Sequence, residues 1–380
     1  MGALSRKAAI VGVDESDEIG IVPHKSEFQH HAEACANALK DAGLSFSDVD
    51  ALFCAGLPTY TLAEYLGITP KYTDNTSVGG SSFVIHLEHA LAAINAGIID
   101  VALISHGQAG KSRRARPGGD ATMPGAQYEM PYGALIQPHH YAVACSRYMH
   151  LYGEERTRQG MAEVAMATRK WAQLNPKALM RDPMSLEDYM NSRWVAWPFK
   201  LFDCCLVTDG GGACVVASER VARQCAKKPV WLLGTAEGHD HHLISTMPDL
   251  TRTIARETGP RAMAMAGVTH EDIDLAMIYD SFTYTVLVTL ESLGFCGPGE
   301  APDFVANQRT APGGEFALNT NGGGLSYTHT GMYGMFLLLE ATRQLRGECG
   351  ERQVQDCKVA LVNGTGGSLS SCGTVVLGVD

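Results

Sequence analysis

Apolar residues follow two rhythms along the 380-residue chain. Short, nearly continuous apolar runs at Ala8 to Val13, Ala51 to Cys54, Val101 to Ser105 and Ala213 to Ala217 predict strands buried on both faces. Between them the apolar positions recur at helical spacing. Phe83, Leu87, Ala90, Leu91 and Ile94 mark one face of a helix that starts at Ser82 and stops at Gly97, where glycine supplies the left-handed turn that ends a helix. Strands alternating with helices are the pattern of an α/β fold.

The pattern repeats within the chain. Ala42-Gly-Leu-Ser-Phe-Ser-Asp-Val-Asp50 matches Ala266-Gly-Val-Thr-His-Glu-Asp-Ile-Asp274 without a gap, at an offset of 224 residues. Each copy follows an alanine-rich helix and feeds a strand, Ala51 to Cys54 and Leu275 to Ile278. Farther on, Val101-Ala-Leu-Ile-Ser is echoed by Val359-Ala-Leu-Val-Asn, and Gly212-Ala-Cys-Val-Val-Ala by Gly373-Thr-Val-Val-Leu-Gly. Three matches in the same order predict two copies of one α/β unit, residues 1–225 and 226–380. The first copy is longer by an insertion, residues 107–202, rich in Pro, Met, Tyr and Trp and helical around Tyr141 to Gln173. A long insertion on a rigid repeated scaffold reads as a lid over a site.

The repeat also pairs two glycine-rich loops. Asn75-Thr-Ser-Val-Gly-Gly-Ser-Ser82 precedes the first helix; its counterpart is Asn321-Gly-Gly-Gly-Leu-Ser-Tyr-Thr-His-Thr-Gly-Met-Tyr-Gly-Met335. Both lead into a helix N-terminus, where unpaired N–H groups favour developing negative charge. If the loops meet on the pseudo-twofold axis they form one site, to which the second brings Tyr327, His329 and Tyr333.

A formal charge of −11 argues against general affinity for nucleic acid, leaving Arg113, Arg114 and Arg116 as a local candidate for anion binding. No apolar run is long enough to span a bilayer, and the start reads as a strand rather than a leader, so the expected compartment is the cytoplasm. The eleven cysteines form no CxxC pair and are expected to be reduced thiols. Gly238-His-Asp-His-His242 and His139-His140 lack a second ligand cluster and read as structural, so no metal is expected. Cys204-Cys205 and Thr208 to Ala213 read as close-packing residues, and Met161 to Met166 as a helix packing face.

Several stretches together resemble the thiolase superfamily, in the branch of the sterol carrier protein X thiolases and bacterial lipid-transfer-protein relatives. They are Gly80 to Gly97, Pro131-Tyr-Gly, Asp203-Cys-Cys-Leu-Val-Thr-Asp-Gly-Gly-Gly-Ala213, Tyr279-Asp-Ser-Phe282, Leu290-Glu-Ser-Leu-Gly-Phe-Cys and Asn321 through Arg346. The resemblance covers essentially the whole chain. It implies two pseudo-symmetric βαβαβαββ halves in a five-layered α/β sandwich with an inserted loop domain.

The departures carry the chemistry. In a thiolase of this kind the acylated cysteine would fall at Gly80, and the second cysteine near Asn363 to Gly367; neither position holds one. Tyr279 replaces the usual His or Asn of the first motif, whereas the histidine of the usual Gly-His-Pro remains as His329. A site that loses its thiolate but keeps a pocket for a thioester enolate suits retro-aldol cleavage of a β-hydroxyacyl-CoA, with no covalent acyl-enzyme. Steroid side-chain aldolases resemble this chain in lacking the cysteines and using tyrosines, and they work with a small OB-fold partner. The expected catalytic residues are Tyr284 and Tyr333 as the acid/base pair, with Tyr279 and His329 lining the oxyanion side. Gly80, Ser81, Gly323 and Gly366 are expected to meet substrate. Coenzyme A enters only as part of the substrate, no separate cofactor is expected, and the assembly is expected to be a homodimer that recruits the OB-fold protein. Two rivals stand beside this reading: an acyltransferase using Ser81 or Cys372, and a non-catalytic acyl-CoA- or lipid-binding subunit.

Overall fold

The computed structural model describes residues 2, 4–113 and 122–380. Among them, ten strands join in one sheet: β1 (Ala8–Glu15), β2 (Ala51–Cys54), β3 (Tyr72–Asp74), β4 (Val101–Ala109), β5 (Asp209–Ser218), β6 (Val230–His239), β7 (Leu275–Ile278), β8 (Ala317–Leu318), β9 (Val359–Gly366) and β10 (Ser371–Gly378). The spatial order β3-β2-β4-β5-β1-β6-β10-β9-β7-β8 is the same five-strand order written outward twice from a centre. Only two residue pairs, Ala9 with Trp231 and Ile10 with Val230, bridge that centre.

The two halves repeat in register as well as order. Ala51 to Cys54 pair in parallel with Ala102 to Ser105, and Leu275 to Ile278 pair in parallel with Ala360 to Asn363. The repeated turn before β2 and β7 has the same local chemistry in both copies. The Ser45 amide and hydroxyl are bound by Asp48 at 2.8 and 2.7 Å, and the Thr269 amide and hydroxyl by Asp272 at 2.8 and 2.9 Å.

Side-chain alternation sorts the core into layers. Ala8, Ile10, Ala51, Phe53, Leu275 and Met277 point into one buried cluster with α2 (Ser82–Asn95) and α7 (Gly334–Arg346). Ala9, Val11, Leu52, Cys54, Ala276 and Ile278 face the other way, toward α1 (Glu27–Ala42) and α5 (Ala255–Ala266). Helix, sheet, paired helices, sheet, helix is the five-layered sandwich that the resemblance implied. The outer helices sit tight because of one glycine in each half. A Cβ on Gly12 would come within 2.1 Å of the Ala38 carbonyl, and one on Gly234 within 2.0 Å of the Ala262 carbonyl.

The insertion is built on α3 (Gln137–Tyr152) and α4 (Glu154–Gln173), separated by Gly153 at φ +100°. Helix α6 (Thr283–Leu293) packs against α4 and α5. Arg114 and Arg116 lie outside the described residues. Among the described residues no helix is long and apolar enough to cross a membrane.

Candidate active site

Strand β7 presents its residues inward at Leu275 and Met277, and the same alternation carries Tyr279 inward just beyond its end. There the ring meets Gly80 at the start of the first glycine loop. A Cβ on Gly80 would lie 2.0 Å from Cε2 of Tyr279 and 2.6 Å from its hydroxyl oxygen. No two heavy atoms approach so closely, so the place where a thiolase-like chain would hold its nucleophile is filled by a phenol. The glycine at residue 80 and the tyrosine at residue 279 require each other.

The second glycine loop closes over the same point. Gly322 and Gly323 adopt φ of +100° and +61°, which brings the chain down onto Asp280; a Cβ on Gly323 would lie 2.0 Å from its Oδ2. Asp280 accepts hydrogen bonds from the amides of Gly324 at 2.6 Å and Leu325 at 3.2 Å. Burial pushes its carboxyl up to about 7, and the two amides pull the other way.

Beyond this turn the chain delivers His329. Its amide donates to Thr208 Oγ1 at 3.0 Å, and its carbonyl accepts from the Thr208 amide at 3.0 Å. Its Nε2 lies 3.0 Å from the Tyr279 hydroxyl. That hydroxyl also accepts the Tyr333 amide at 2.9 Å, so its own proton can point to His329. The Tyr333 ring stacks near-parallel to His329, with centroids 6.2 Å apart, and its hydroxyl donates to Asn321 Oδ1 at 2.8 Å. Burial holds His329 down at about 4, leaving a neutral imidazole at pH 7. Burial also drives Tyr279 well above the usual phenol range, opposed by the Tyr333 amide, so the resting group is a phenol. The phenol alone is a poor base; coupled to an imidazole that takes its proton, it can accept another.

Tyr279, His329 and Tyr333 therefore come together, and Tyr284 does not join them. Tyr284 lies on α6 in the outer core, with its hydroxyl 3.1 Å from the Leu250 carbonyl and its ring edge-on to Tyr148. Tyr284 thus lies apart from Tyr333, its expected partner, and the hydrogen-bonded pair at this point is Tyr279 with His329. The Tyr333 hydroxyl, expected to transfer a proton, donates to Asn321, and it is the Tyr333 amide that meets the phenol. Gly366 and Ser81 lie where the two halves meet: Ser81 Oγ is 2.5 Å from Ser371 Oγ, and a Cβ on Gly366 would be 2.5 Å from Ser81 Oγ. Cys372 is fully buried and its thiol is pushed up to about 12.

The insertion reaches the site from behind. Asn175 donates to the Asn321 carbonyl at 2.8 Å, the amides of Leu179 and Met180 bind the carbonyls of Tyr327 and Ser326, and Arg169 donates to Ser326 Oγ at 2.9 Å. None of these partners was foreseen as a site contact, nor were Asp280, Thr208 and Asn321, although the last three lie in the stretches that carry the resemblance. Only Asp280, an acid directly after Tyr279, left a local signal. The remaining histidines of interest have ordinary partners. His241 binds Asp240 and the Ser368 carbonyl, and His140 binds Ser368 Oγ at 2.9 Å. Among the described residues no three His, Cys, Asp or Glu side chains converge as a metal site. A polar cavity of about 310 Å³ touches Asn321 and Tyr327 but neither Tyr279 nor His329, and in it the charges of Arg343 and Lys177 are paired with those of Glu15 and Asp14.

A family model described as thiolase C-terminal domain-like matches residues 236–379. The 17-hydroxy-3-oxo-4-pregnene-20-carboxyl-CoA lyase of Mycobacterium tuberculosis is 35% identical over 362 residues, covering 90% of this chain and 92% of that protein. The steroid side-chain-cleaving aldolase of Thermomonospora curvata is 33% identical over 400 aligned positions, covering the whole of both. The chain belongs to the thiolase superfamily. Within it, the two relatives matched over nearly the whole chain are named as a lyase and an aldolase. The solved structure of the Ltp2-ChsH2(DUF35) aldolase superposes with a TM-score of 0.91 at 33% identity, over 100% of this chain and 99% of that one. Human mitochondrial 3-ketoacyl-CoA thiolase, at 15% identity and a TM-score of 0.72, shares the fold.

Proposed function

We propose that this thiolase-superfamily enzyme is a retro-aldolase that cleaves a bulky β-hydroxyacyl-CoA with a steroid side chain, through an enolate and without an acyl-enzyme. The observation that carries the reading is the Tyr279 ring in the space that a side chain at residue 80 would need. Acyl transfer needs an activated nucleophile at the thioester carbonyl. Ser81 is fully buried, with its hydroxyl held by Ser371 and the Val78 carbonyl, and Cys372 is a buried thiol. Neither offers a thiolate or an activated alkoxide.

In the reaction, Tyr279 takes the proton of the β-hydroxyl while passing its own to His329 Nε2, and the Tyr333 amide steadies the phenol oxygen as charge builds on it. The carbon–oxygen bond becomes a carbonyl and the Cα–Cβ bond breaks. Its electrons pass into the thioester as an enolate, held by the amides of Gly80, Ser81 and Gly366. Donors of this kind contribute roughly 3 kcal/mol each to the barrier when water is excluded. The proton stored on His329 then returns through Tyr279 to Cα. For a 17-hydroxy-20-carboxyl-CoA steroid, as in the name of the mycobacterial relative, the products are a 17-ketone and propionyl-CoA.

Coenzyme A is part of the substrate in this reading, and the step as drawn uses side chains and amides alone. We also assign the working form as a homodimer in the cytoplasm joined to an OB-fold acyl-CoA-binding protein. The unpaired edge of β3 supports pairing with a second copy. Apolar side chains left exposed on the insertion, with Tyr132 at 89%, Tyr128 at 64% and Leu135 at 54%, support a partner on that face. The test is to supply the chain, with and without a candidate partner, with a 17-hydroxy-20-carboxyl-CoA steroid. Ketone and propionyl-CoA in equal amounts are expected; no cleavage by the complex would leave the fold as a binding subunit.

A further inference from the structure

His106 lies on β4, in the half of the molecule opposite the catalytic loop, and is fully buried. Its Nε2 is 2.7 Å from Thr330 Oγ1, and its Nδ1 meets no hydrogen-bond partner among the described residues. The rest of the ring is boxed by aromatic groups, with centroids 4.9 Å from Phe83 and 6.3 Å from Phe336. Burying a polar nitrogen without a partner costs roughly 1–3 kcal/mol, and an apolar side chain would fill this box without that cost. The contact with Thr330 is what sets a histidine apart from a leucine here.

Thr330 follows His329, and the segment is held on both sides. Thr208 binds the backbone of His329 in both directions and meets Thr328 Oγ1 at 2.8 Å. Residue 331 has φ of +95°, and a Cβ there would lie 2.2 Å from Gln108 Oε1, so β4 runs directly beneath the turn. With Thr208 fixing the backbone before the turn and His106 fixing the side chain after it, the imidazole of His329 has one orientation toward Tyr279.

We infer that His106 is a positioning residue for the lyase reaction, acting through Thr330 to hold His329 Nε2 on the Tyr279 hydroxyl. The inference rests on the retro-aldolase reading for its kinetic test and on geometry for its second readout. Displacing a catalytic group by about 1 Å lowers turnover on the order of 100-fold. His106→Leu and Thr330→Val are therefore each expected to lower kcat by about 10- to 100-fold with KM within about threefold of the wild type. The double variant should be no worse than either single one, since both remove the same contact. His106→Gln, whose terminal amide can bind Thr330, and Thr330→Ser are expected to recover most of the loss. The second readout needs no turnover: the His329 imidazole resonance in histidine-labelled protein, identified by its disappearance in His329→Gln. It should shift in Thr330→Val and return in Thr330→Ser. A wild-type enzyme that does not cleave would sink the lyase reading and leave the resonance to decide the contact. An active wild type whose kcat is unchanged in Thr330→Val, losses that multiply in the double variant, or an unmoved His329 resonance would each overturn the inference.

Discussion

The two halves share a strand register and part company one residue beyond it. The 224-residue offset that aligns Ala51 to Cys54 with Leu275 to Ile278 sets Ala55 and Gly56 opposite Tyr279 and Asp280. In the first half the strand end carries almost no side chain. In the second it carries a phenol that meets Gly80 and His329, and a carboxylate that binds the glycine turn. A symmetric scaffold thus holds an asymmetric site, with small residues in one half making room for the side chains of the other. The first loop brings Gly80, the end of β7 brings Tyr279, and the second loop brings His329 to the same point.

The largest effect is expected at the phenol. Tyr279→Phe keeps the ring beside Gly80 and removes the hydroxyl that meets His329 Nε2 and is proposed to take the substrate's proton, so turnover is expected to fall by about 10²- to 10⁴-fold. Steady-state kinetics with an unchanged circular dichroism spectrum checks this, and wild-type turnover would place the chemistry elsewhere. The reciprocal change acts on the empty half. Gly80→Ala forces a methyl into the Tyr279 ring, which should cost about 1–3 kcal/mol of stability and roughly 10- to 100-fold in turnover by moving the phenol. Denaturant melts paired with kinetics would show both losses together.

A smaller effect comes from Asp280. Its folded-state value of about 7 stands above the usual carboxylate value of about 3.9. The folded protein therefore binds more protons than the unfolded chain between those limits. This contribution to stability is fully present below pH 4 and is lost as pH rises through 7. In Asp280→Asn the fall in denaturant midpoint between pH 4 and 7.5 should be shallower than in the wild type; parallel curves would show that the carboxyl does not titrate in that window. Smallest of all is Tyr284→Phe. Losing the bond to the Leu250 carbonyl should cost about 1 kcal/mol of stability, with turnover within about twofold of the wild type. A large catalytic loss there would restore Tyr284 to the site.

Much of the architecture was legible in the sequence because it follows from local rules. The repeated Ser45-to-Asp48 and Thr269-to-Asp272 turns bear the same capping hydrogen bonds, and the apolar runs of β2 and β7 sit in the same register. The missing side chain at Gly80 was legible as well. Its physical meaning was not, since only the structure shows the Tyr279 ring in that space. Tyr284 lies away from Tyr279 and His329 for a reason of direction. Leu275, Met277 and Tyr279 alternate toward the inner layer, but the chain turns into α6 at Thr283, and Tyr284 points to the outer core. His106, Thr208, Asn175 and Arg169 left no mark near the motif because each reaches it across more than a hundred residues of chain.

A phenol stands where an acylated side chain would be, and the proposed cleavage of the carbon–carbon bond therefore forms no acyl-enzyme. Intact-mass measurement of the chain during turnover of a β-hydroxyacyl-CoA, with ketone and shortened acyl-CoA counted in the same samples, tests it directly. The two products are expected in equal amounts, with a protein mass that stays at that of the 40.7 kDa chain throughout. A mass increase equal to the acyl group, appearing and decaying with turnover, would contradict it.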